Sequence, residues 1–249
     1  MTTHATVSPD KWLEARCDLL AAEKDLTRRS DQVAQLRRQL PWVKVETDYV
    51  FEGPDGRQKL SELFDGRHQL MVQHFMLTPG AEEGCKSCSY MADHTEGMIP
   101  HLEQRDVTFV AISRAPYAEI ERFRRRMGWK FKWLSSFGTS FNYDFRVSFT
   151  PDEVAKGSLA YNYRTGRYAR EELPGISVFL KDDNGDVFHT YSTYGRGVEV
   201  MMGTYRMLDL TPKGRDEGGK NMAWVRHHDR YEPAMPAKAV GGSCCSAQG

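Results

Sequence analysis

The chain has 249 residues, of which 40% are hydrophobic and 27% are charged, and its 34 lysine and arginine residues balance 34 aspartate and glutamate residues. This composition predicts a folded protein with a sizeable core and excludes a wholly disordered chain. The zero net charge argues against bulk binding to nucleic acid or to an anionic membrane surface. No apolar run approaches the roughly 20 residues of a membrane helix, and the polar residues 1–11 do not resemble a secretory leader, so we expect a cytoplasmic protein.

A long helix is the first predicted element, from Ser8 to about Gln39. Ser8 supplies a hydroxyl N-cap, and Pro9 suits the first turn. Apolar side chains then recur every seven residues, at Trp12, Leu19, Leu26, Val33 and Leu40. We expect this helical arm, residues 1–41, to lie against its own domain; the alternative is a short coiled coil that forms a homodimer.

Strands and helices alternate after the arm. The pattern predicts strands over residues 43–51, 69–76 and 107–112, and helices over residues 85–104 and 117–127. This order favours an α/β fold with a parallel or mixed sheet flanked by helices. Asn184-Gly185 between two apolar runs predicts a β-hairpin, because this dipeptide accepts the positive φ of a tight turn. A last helix is expected near residues 198–208.

An aromatic-rich stretch interrupts this alternation between residues 128 and 175, where eleven of the 28 aromatic residues lie. We interpret it as an insertion into a domain that spans residues 42–212. The insertion could pack as an extra core layer, bury a homodimer contact or wall a substrate pocket. Residues 213–249 are polar and end in an Ala/Gly/Ser-rich segment, which predicts a C-terminal extension with a flexible tail.

Two pairs of cysteines lie close together in the sequence, Cys85 with Cys88 and Cys244 with Cys245. The first pair forms a Cys-x-x-Cys motif at the predicted start of a helix, after a buried strand. The free N–H groups and the dipole of a helix N-terminus favour a thiolate there, so Cys85 is the predicted attacking sulfur. Cys88, one turn further on, can resolve a mixed disulfide at Cys85. The remaining cysteine, Cys17, is expected to be buried and inert.

Four runs of sequence carry a family resemblance: GCKSCSY at 84–90, ISRAPY at 112–117, WKFKWLSS at 129–136 and FNYDF at 141–145. They resemble a bacterial thioredoxin-like family that is catalogued as domain of unknown function 899. The resemblance covers residues 8–231 and implies a thioredoxin-like fold and a redox role, but no particular substrate. Three positions depart from thioredoxin itself: Lys86-Ser87 replaces Gly-Pro, Gly84 replaces a tryptophan, and Ile176 rather than Pro174 aligns with its cis-proline.

The leading functional hypothesis is a thiol–disulfide oxidoreductase that needs no organic cofactor, because the sulfur atoms carry the electrons. Its partner would be a thiol reductant or a disulfide substrate. Soft-metal binding is an alternative of a different class, in which Cys85, Cys88 and His74 hold copper, mercury or arsenic. A thiol peroxidase that forms a sulfenic acid at Cys85 is a further alternative. The threonine-rich peroxidatic motif of the peroxiredoxins is missing, which weakens that last hypothesis.

Other residues are candidates for supporting roles. Cys244 and Cys245 resemble the vicinal cysteine tail of mercuric reductases and form a candidate relay to the first cysteine pair; incidental cysteines in a loose tail are the alternative. The candidate substrate pocket over the cysteines consists of His74, Trp129, Trp133 and Pro174. Ordinary hydrogen bonding for the histidine and core packing for the aromatic residues are the alternatives to that role.

Overall fold

A mixed β-sheet organises the molecule, whose computed structural model describes residues 4–232. The strands are β1 (Val43–Lys44), β2 (Val50–Gly53), β3 (Gly56–Lys59), β4 (Gln69–His74), β5 (Val107–Ser113), β6 (Lys132–Ser135), β7 (Leu159–Tyr161), β8 (Arg164–Gly166), β9 (Gly175–Lys181) and β10 (Val187–Tyr194). Within the described residues, eight of them form one sheet in the order β1-β10-β9-β4-β5-β6-β2-β3. The other two, β7 and β8, pair with each other in a separate small hairpin.

Strand β4 lies in the middle of the sheet and carries the chain toward the Cys-x-x-Cys motif. It pairs in parallel with β5 and antiparallel with β9, so that His74 faces Ile112 on one side and Gly175 on the other. Strand β6 continues the parallel part beyond β5. Strands β9 and β10 pair antiparallel across Asn184-Gly185, as the sequence predicts. The predicted α/β fold with a mixed sheet is therefore confirmed.

The predicted strand over residues 43–51 is wrong as a single element. Its first part, β1, pairs with β10 at one edge of the sheet, whereas its last part, β2, pairs with β6 and β3 at the other edge. Val45 and Tyr49, in the segment between them, pack in the apolar cluster that contains Val72 and Phe141. Alternation of apolar residues shows which side chains face a core, but it does not show which strand is the partner.

Helices of very different length precede, connect and follow the strands. They are α1 (Pro9–Arg38), α2 (Lys86–Thr95), α3 (Ile99–Glu103), α4 (Tyr117–Arg126), α5 (Phe141–Asp144), α6 (Pro151–Ala155) and α7 (Gly203–Leu208). Short 3₁₀ turns lie at Leu60–Glu62, Gly195–Met201 and His228–Arg230. The predicted helix 85–104 is two helices, because Pro100 occupies the first turn of α3 and cannot donate a hydrogen bond inside a continuous helix. The predicted helix 198–208 is likewise a 3₁₀ turn followed by α7.

Helix α1 does not pack into the domain. None of its residues is buried, and Trp12, Leu19 and Leu26 are 59%, 54% and 71% exposed. The expectation that α1 lies against its own domain is therefore wrong: its apolar stripe is narrow and Arg29 breaks the adjoining row. The homodimer through α1 or through the aromatic stretch stays a prediction. Neither α1 nor any other helix within residues 4–232 is both long and apolar enough to cross a membrane.

Two large apolar clusters lie on opposite faces of the sheet. The face under α2 and α4 includes Phe75, Cys88 and Phe123, and the other face includes Val72 and Phe141. The aromatic stretch 128–175, which we interpreted as an insertion, supplies β6 to the sheet and buried side chains to both clusters. A third cluster surrounds β7. This stretch is therefore part of the core that positions the cysteines.

Candidate active site

The Cys-x-x-Cys motif lies where the chain leaves β4 and enters α2. Cys85 is the N-cap residue of α2, and its backbone N–H donates to the carbonyl oxygen of Met76 at 3.0 Å. The side chain of Gln73 donates to the carbonyl oxygen of Cys88 at 3.1 Å. Cys85 is half-buried and Cys88 is fully buried, and both are free thiols. One sulfur can therefore meet an external molecule, whereas the other is reached only through its neighbour.

The two thiols differ in acidity. Hydrogen bonding by the Cys88 thiol lowers the pKa of Cys85 to about 6, with support from the backbone N–H groups of Cys88 and Ser87 and from the charge of Arg170. Burial raises the pKa of Cys88 well above its usual value, and the neighbouring Cys85 sulfur raises it further. The pair is thus a thiolate at Cys85 stabilised by a thiol at Cys88. This is the arrangement in which the exposed sulfur is the nucleophile.

The rate of Cys85 alkylation tests this assignment through its pH dependence. Because its pKa in the folded protein lies below the ordinary thiol value of about 8.5, the thiolate fraction rises as the pH rises through about 6. We expect the rate with iodoacetamide, measured at the Cys85 peptide by mass spectrometry, to be half-maximal near pH 6 and constant above pH 8. The experiment is carried out in the Cys17→Ser variant, because the exposed Cys17 would otherwise also be alkylated. A midpoint above pH 8 would contradict the assignment.

The space around Gly84 explains why this chain has glycine before the motif, where thioredoxin has tryptophan. A Cβ atom at this position would lie 2.5 Å from Cε1 of Phe75 and 2.8 Å from Cε1 of Phe123. The carbonyl oxygen of Gly84 accepts a hydrogen bond from Nε2 of His227 at 2.9 Å. Two rings and a buried histidine therefore enclose this residue, and only glycine fits between them.

Replacing Gly84 by alanine is expected to destabilise the fold. The added methyl group overlaps two buried rings, and such overpacking costs about 1–3 kcal/mol. Urea unfolding of the Gly84→Ala variant measures the loss. Gly97→Ala is the matched control, because a Cβ atom there meets no atom within 4 Å. Equal stability of the two variants would show that the rings move aside at no cost.

Two cavities open onto Cys85. The first, which we call the polar cavity, has a volume of about 480 Å³ and includes Thr78, Glu83, Arg170, Glu171 and Glu172 in its wall. The second, the methionine cavity, has a volume of about 240 Å³ and includes Met76, Met91, Met202, Met222, Arg170 and Pro174. Cys85, Met76 and Arg170 belong to both walls. A molecule that reacts with Cys85 therefore meets a polar wall on one side and an apolar wall on the other.

Glu172 is a site residue that the sequence analysis missed. It is 7% exposed, and its Oε1 atom accepts a hydrogen bond from Nε of Arg114 at 2.7 Å. Its Oε2 atom is buried without a hydrogen-bond partner among the described residues. Burial raises the pKa of Glu172, whereas Arg114 opposes that change. The sequence around Glu171-Glu172 has no pattern that indicates burial. The Glu172 side chain is enclosed only in the folded chain, where it pairs with Arg114, the residue that follows β5.

The predicted pocket residues separate into two groups. Pro174 lines the methionine cavity together with Cys85. Trp129 and Trp133 line neither cavity; they are core residues that pack against Phe75. Their indole N–H groups donate to Asp93 and to Ser113, at 2.8 Å and 2.9 Å. The alternative of core packing therefore describes the two tryptophans.

His74 lies on the face of the sheet opposite to the cysteines. It is 1% exposed, its Nε2 atom is 2.7 Å from Oγ of Ser177, and its ring lies against Phe141. Successive side chains of a strand point to opposite faces, so Phe75 faces α2 and His74 does not. Burial lowers the pKa of His74 to about 3, which keeps it neutral.

The candidate metal site of Cys85, Cys88 and His74 therefore does not come together. No group of three or more His, Cys, Asp or Glu side chains within residues 4–232 is arranged to hold a metal ion. Binding of a soft metal by the two sulfurs alone stays a prediction.

Cys17 is exposed, so the expectation that it is buried is wrong: it lies on α1, which contributes nothing to the core. Cys244 and Cys245 lie outside the described residues.

The topology and the motif together define the class of protein. A central strand leads to a helix that begins at a Cys-x-x-Cys, parallel strands follow on one side, and an antiparallel hairpin lies on the other. This is the topology of a thioredoxin-like fold. The chain belongs to the family described as "Bacterial protein of unknown function (DUF899)", whose model matches residues 1–231. The resemblance drawn from the sequence runs is confirmed.

Solved structures with a similar fold include peroxiredoxins. A mutant of Xanthomonas campestris peroxiredoxin Q is 8% identical in sequence, with 68% of this chain and 98% of that chain covered at a TM-score of 0.45. Peroxidoxin BcpB from Mycobacterium tuberculosis is 15% identical, with 68% of this chain and 97% of that chain covered at a TM-score of 0.42. No curated protein matches the chain by sequence.

Proposed function

We propose that this protein is a thiol–disulfide oxidoreductase in which Cys85 attacks and Cys88 resolves. One observation carries the proposal: a half-buried thiolate at the start of α2 stands next to a fully buried thiol whose pKa is shifted in the opposite direction. The stronger nucleophile is the sulfur that lines both cavities. The weaker one is enclosed and reacts only with what is already bonded to Cys85.

The reaction proceeds in two exchanges. The Cys85 thiolate attacks one sulfur of a disulfide substrate, forms a mixed disulfide and releases the other half as a thiolate. Cys88 then attacks the Cys85 sulfur and passes its proton to the second half of the substrate, which leaves as a thiol, while the thiolate released first takes a proton from solvent. The substrate gains two electrons and becomes two thiols, and the protein is left with a Cys85–Cys88 disulfide. A thiol reductant returns it to the dithiol by the same steps in reverse.

The surroundings of the pair suit this chemistry. The sulfurs carry the electrons themselves, so the residues around them need only stabilise the thiolate and admit the substrate. The partners that we propose are a disulfide substrate and a thiol reductant. We propose the cytoplasm as the location, because thiol reductants keep such pairs reduced there.

Mass spectrometry of the freshly purified, fully reduced chain tests the proposal. After exposure to hydroxyethyl disulfide and blocking of free thiols, we expect a Cys85–Cys88 disulfide that dithiothreitol removes, in a protein whose native mass shows no metal. A metal ion that survives dialysis and blocks labelling of both cysteines would favour the soft-metal alternative. Rapid consumption of peroxide with a sulfenic acid at Cys85 would favour the peroxidase alternative. Failure of the disulfide to form would contradict the proposed function.

A further inference from the structure

Nearly all charged side chains that line the two cavities form an ion pair within residues 4–232. In the polar cavity, Glu83 pairs with Arg126 at 2.8 Å and with Arg230 at 2.9 Å. In the same cavity, Glu172 pairs with Arg114 at 2.7 Å, and Glu171 approaches the same arginine at 3.5 Å. Each of these three carboxylates therefore has a cationic partner, and Glu171 and Glu172 share theirs.

The charged side chains of the methionine cavity, apart from Arg170, are also paired. Its wall includes one further acid and one further base, Glu199 and Arg196, and these pair with each other at 2.7 Å. Glu199 also pairs with Arg215 at 3.2 Å. The rest of the wall is mainly apolar, with four methionines whose flexible thioethers adapt to ligands of different shape.

Arg170 differs from these residues. It is exposed, it lines both cavities together with Cys85, and no carboxylate within residues 4–232 forms an ion pair with it. The positive charge of Arg170 is one of the causes that lower the pKa of Cys85. A guanidinium without a partner presents its donors in a planar fork that matches a carboxylate.

We propose that Arg170 selects substrates that carry an anionic group, such as a carboxylate, close to the reacting sulfur, with the apolar remainder of the substrate in the methionine cavity. This inference rests on the proposed function, since it assigns the substrate class of the same site. Both the anion and the apolar part are needed to match the two walls. The ligand class is therefore an organic anion that contains a disulfide or a thiol.

Two alkylating reagents that differ in charge test the role of Arg170. Iodoacetate is an anion and iodoacetamide is neutral, and both react with the thiolate, so the ratio of their rates at the Cys85 peptide cancels the effect of the thiolate fraction. We expect Arg170→Gln to lower the ratio of iodoacetate to iodoacetamide about fivefold, and Arg170→Glu to lower it further, because a nearby charge is removed or reversed. The difference in this rate ratio between the unchanged protein and the Arg170 variants should be smaller in 1 M NaCl, where the screening length is only about 3 Å.

Arg167→Gln is the matched control, since Arg167 is also exposed in the same segment but lines neither cavity. An unchanged ratio in both Arg170 variants would overturn the inference. Failure of the proposed function gives a different result, because the Cys85–Cys88 disulfide would then not form, whatever the ratio of the two alkylation rates. A second measurement uses whole substrates: Arg170→Gln should reduce kcat/KM for the dianionic dithiobis(nitrobenzoate) more than for the neutral dithiodipyridine.

Discussion

Replacement of Cys85 by serine is expected to lower thiol–disulfide turnover by about three orders of magnitude or more. A serine hydroxyl does not ionise near neutral pH and its oxygen cannot form a disulfide, so the first exchange is lost. Reduction of hydroxyethyl disulfide by dithiothreitol in the presence of the full-length protein, corrected for the reaction without protein, measures the turnover. The folded state should be retained, because Cys85 is half-buried and serine is smaller.

The variant Cys88→Ser separates the two exchanges. Its Cys85 is still exposed to substrate and still attacks, but no second sulfur resolves the product, so a mixed disulfide at Cys85 should accumulate and be visible by intact mass. Cys17→Ser serves as the control with unchanged turnover, since Cys17 lies on α1. Full activity in both the Cys85 and the Cys88 variant would leave this mechanism without support.

Loss of the Glu172 side chain is expected to have the largest effect on stability. Glu172→Ala leaves Arg114, whose side chain is only 16% exposed, without the partner at 2.7 Å. Breaking a buried pair on one side costs about 3 kcal/mol, because the enclosed charge loses its nearest carboxylate. Arg114 then keeps the more distant Glu171 and the Tyr143 hydroxyl as partners. The free energy of urea unfolding measures this loss. The pH of the measurement is held at 7, where Cys85 is a thiolate in the folded protein.

Two further variants show whether the Arg114–Glu172 ion pair is responsible for the loss of stability in Glu172→Ala. Glu171→Ala is the matched control, because Glu171 is 53% exposed and 3.5 Å from the same arginine, and exposed pairs contribute about 0–1 kcal/mol. The double variant Arg114→Leu with Glu172→Leu should recover much of the stability lost in Glu172→Ala, since no unpaired charge remains. Similar losses for Glu171→Ala and Glu172→Ala would show that burial of Glu172 does not determine the result.

The chemistry of the motif could be predicted from a short segment of sequence. Cys85 and Cys88 are one helical turn apart, and the apolar run before them indicates a buried strand. The acidity of a thiol at a helix N-terminus follows from the backbone of its own first turn. The hairpin at Asn184-Gly185 could be predicted for the same reason, since the turn depends on two neighbouring residues. Local chemistry determines these features, so local sequence is enough to find them.

The wall of the site could not be predicted in this way. Glu172 and Arg170 are distant from Cys85 in the chain, and they reach it only because β9 pairs with β4 and directs the preceding segment across the sulfur. Trp129 and Trp133 are aromatic residues like those of many pockets, yet here they are core residues under α4. Whether a side chain meets a cavity or a neighbour depends on the packing of several elements, not on its type.

The amino-acid sequence by itself determined the α/β class, the family resemblance and the reactive pair, because each rests on periodicity or on residues within one turn of each other. Tertiary structure alone decided that His74 faces away from the cysteines and that α1 lies free of the core. It also decided that Arg170 lines both cavities and forms no ion pair within residues 4–232. Those facts depend on strand pairing and on which opposite charges come within a few ångströms. Such contacts between distant residues are formed only when the whole chain folds.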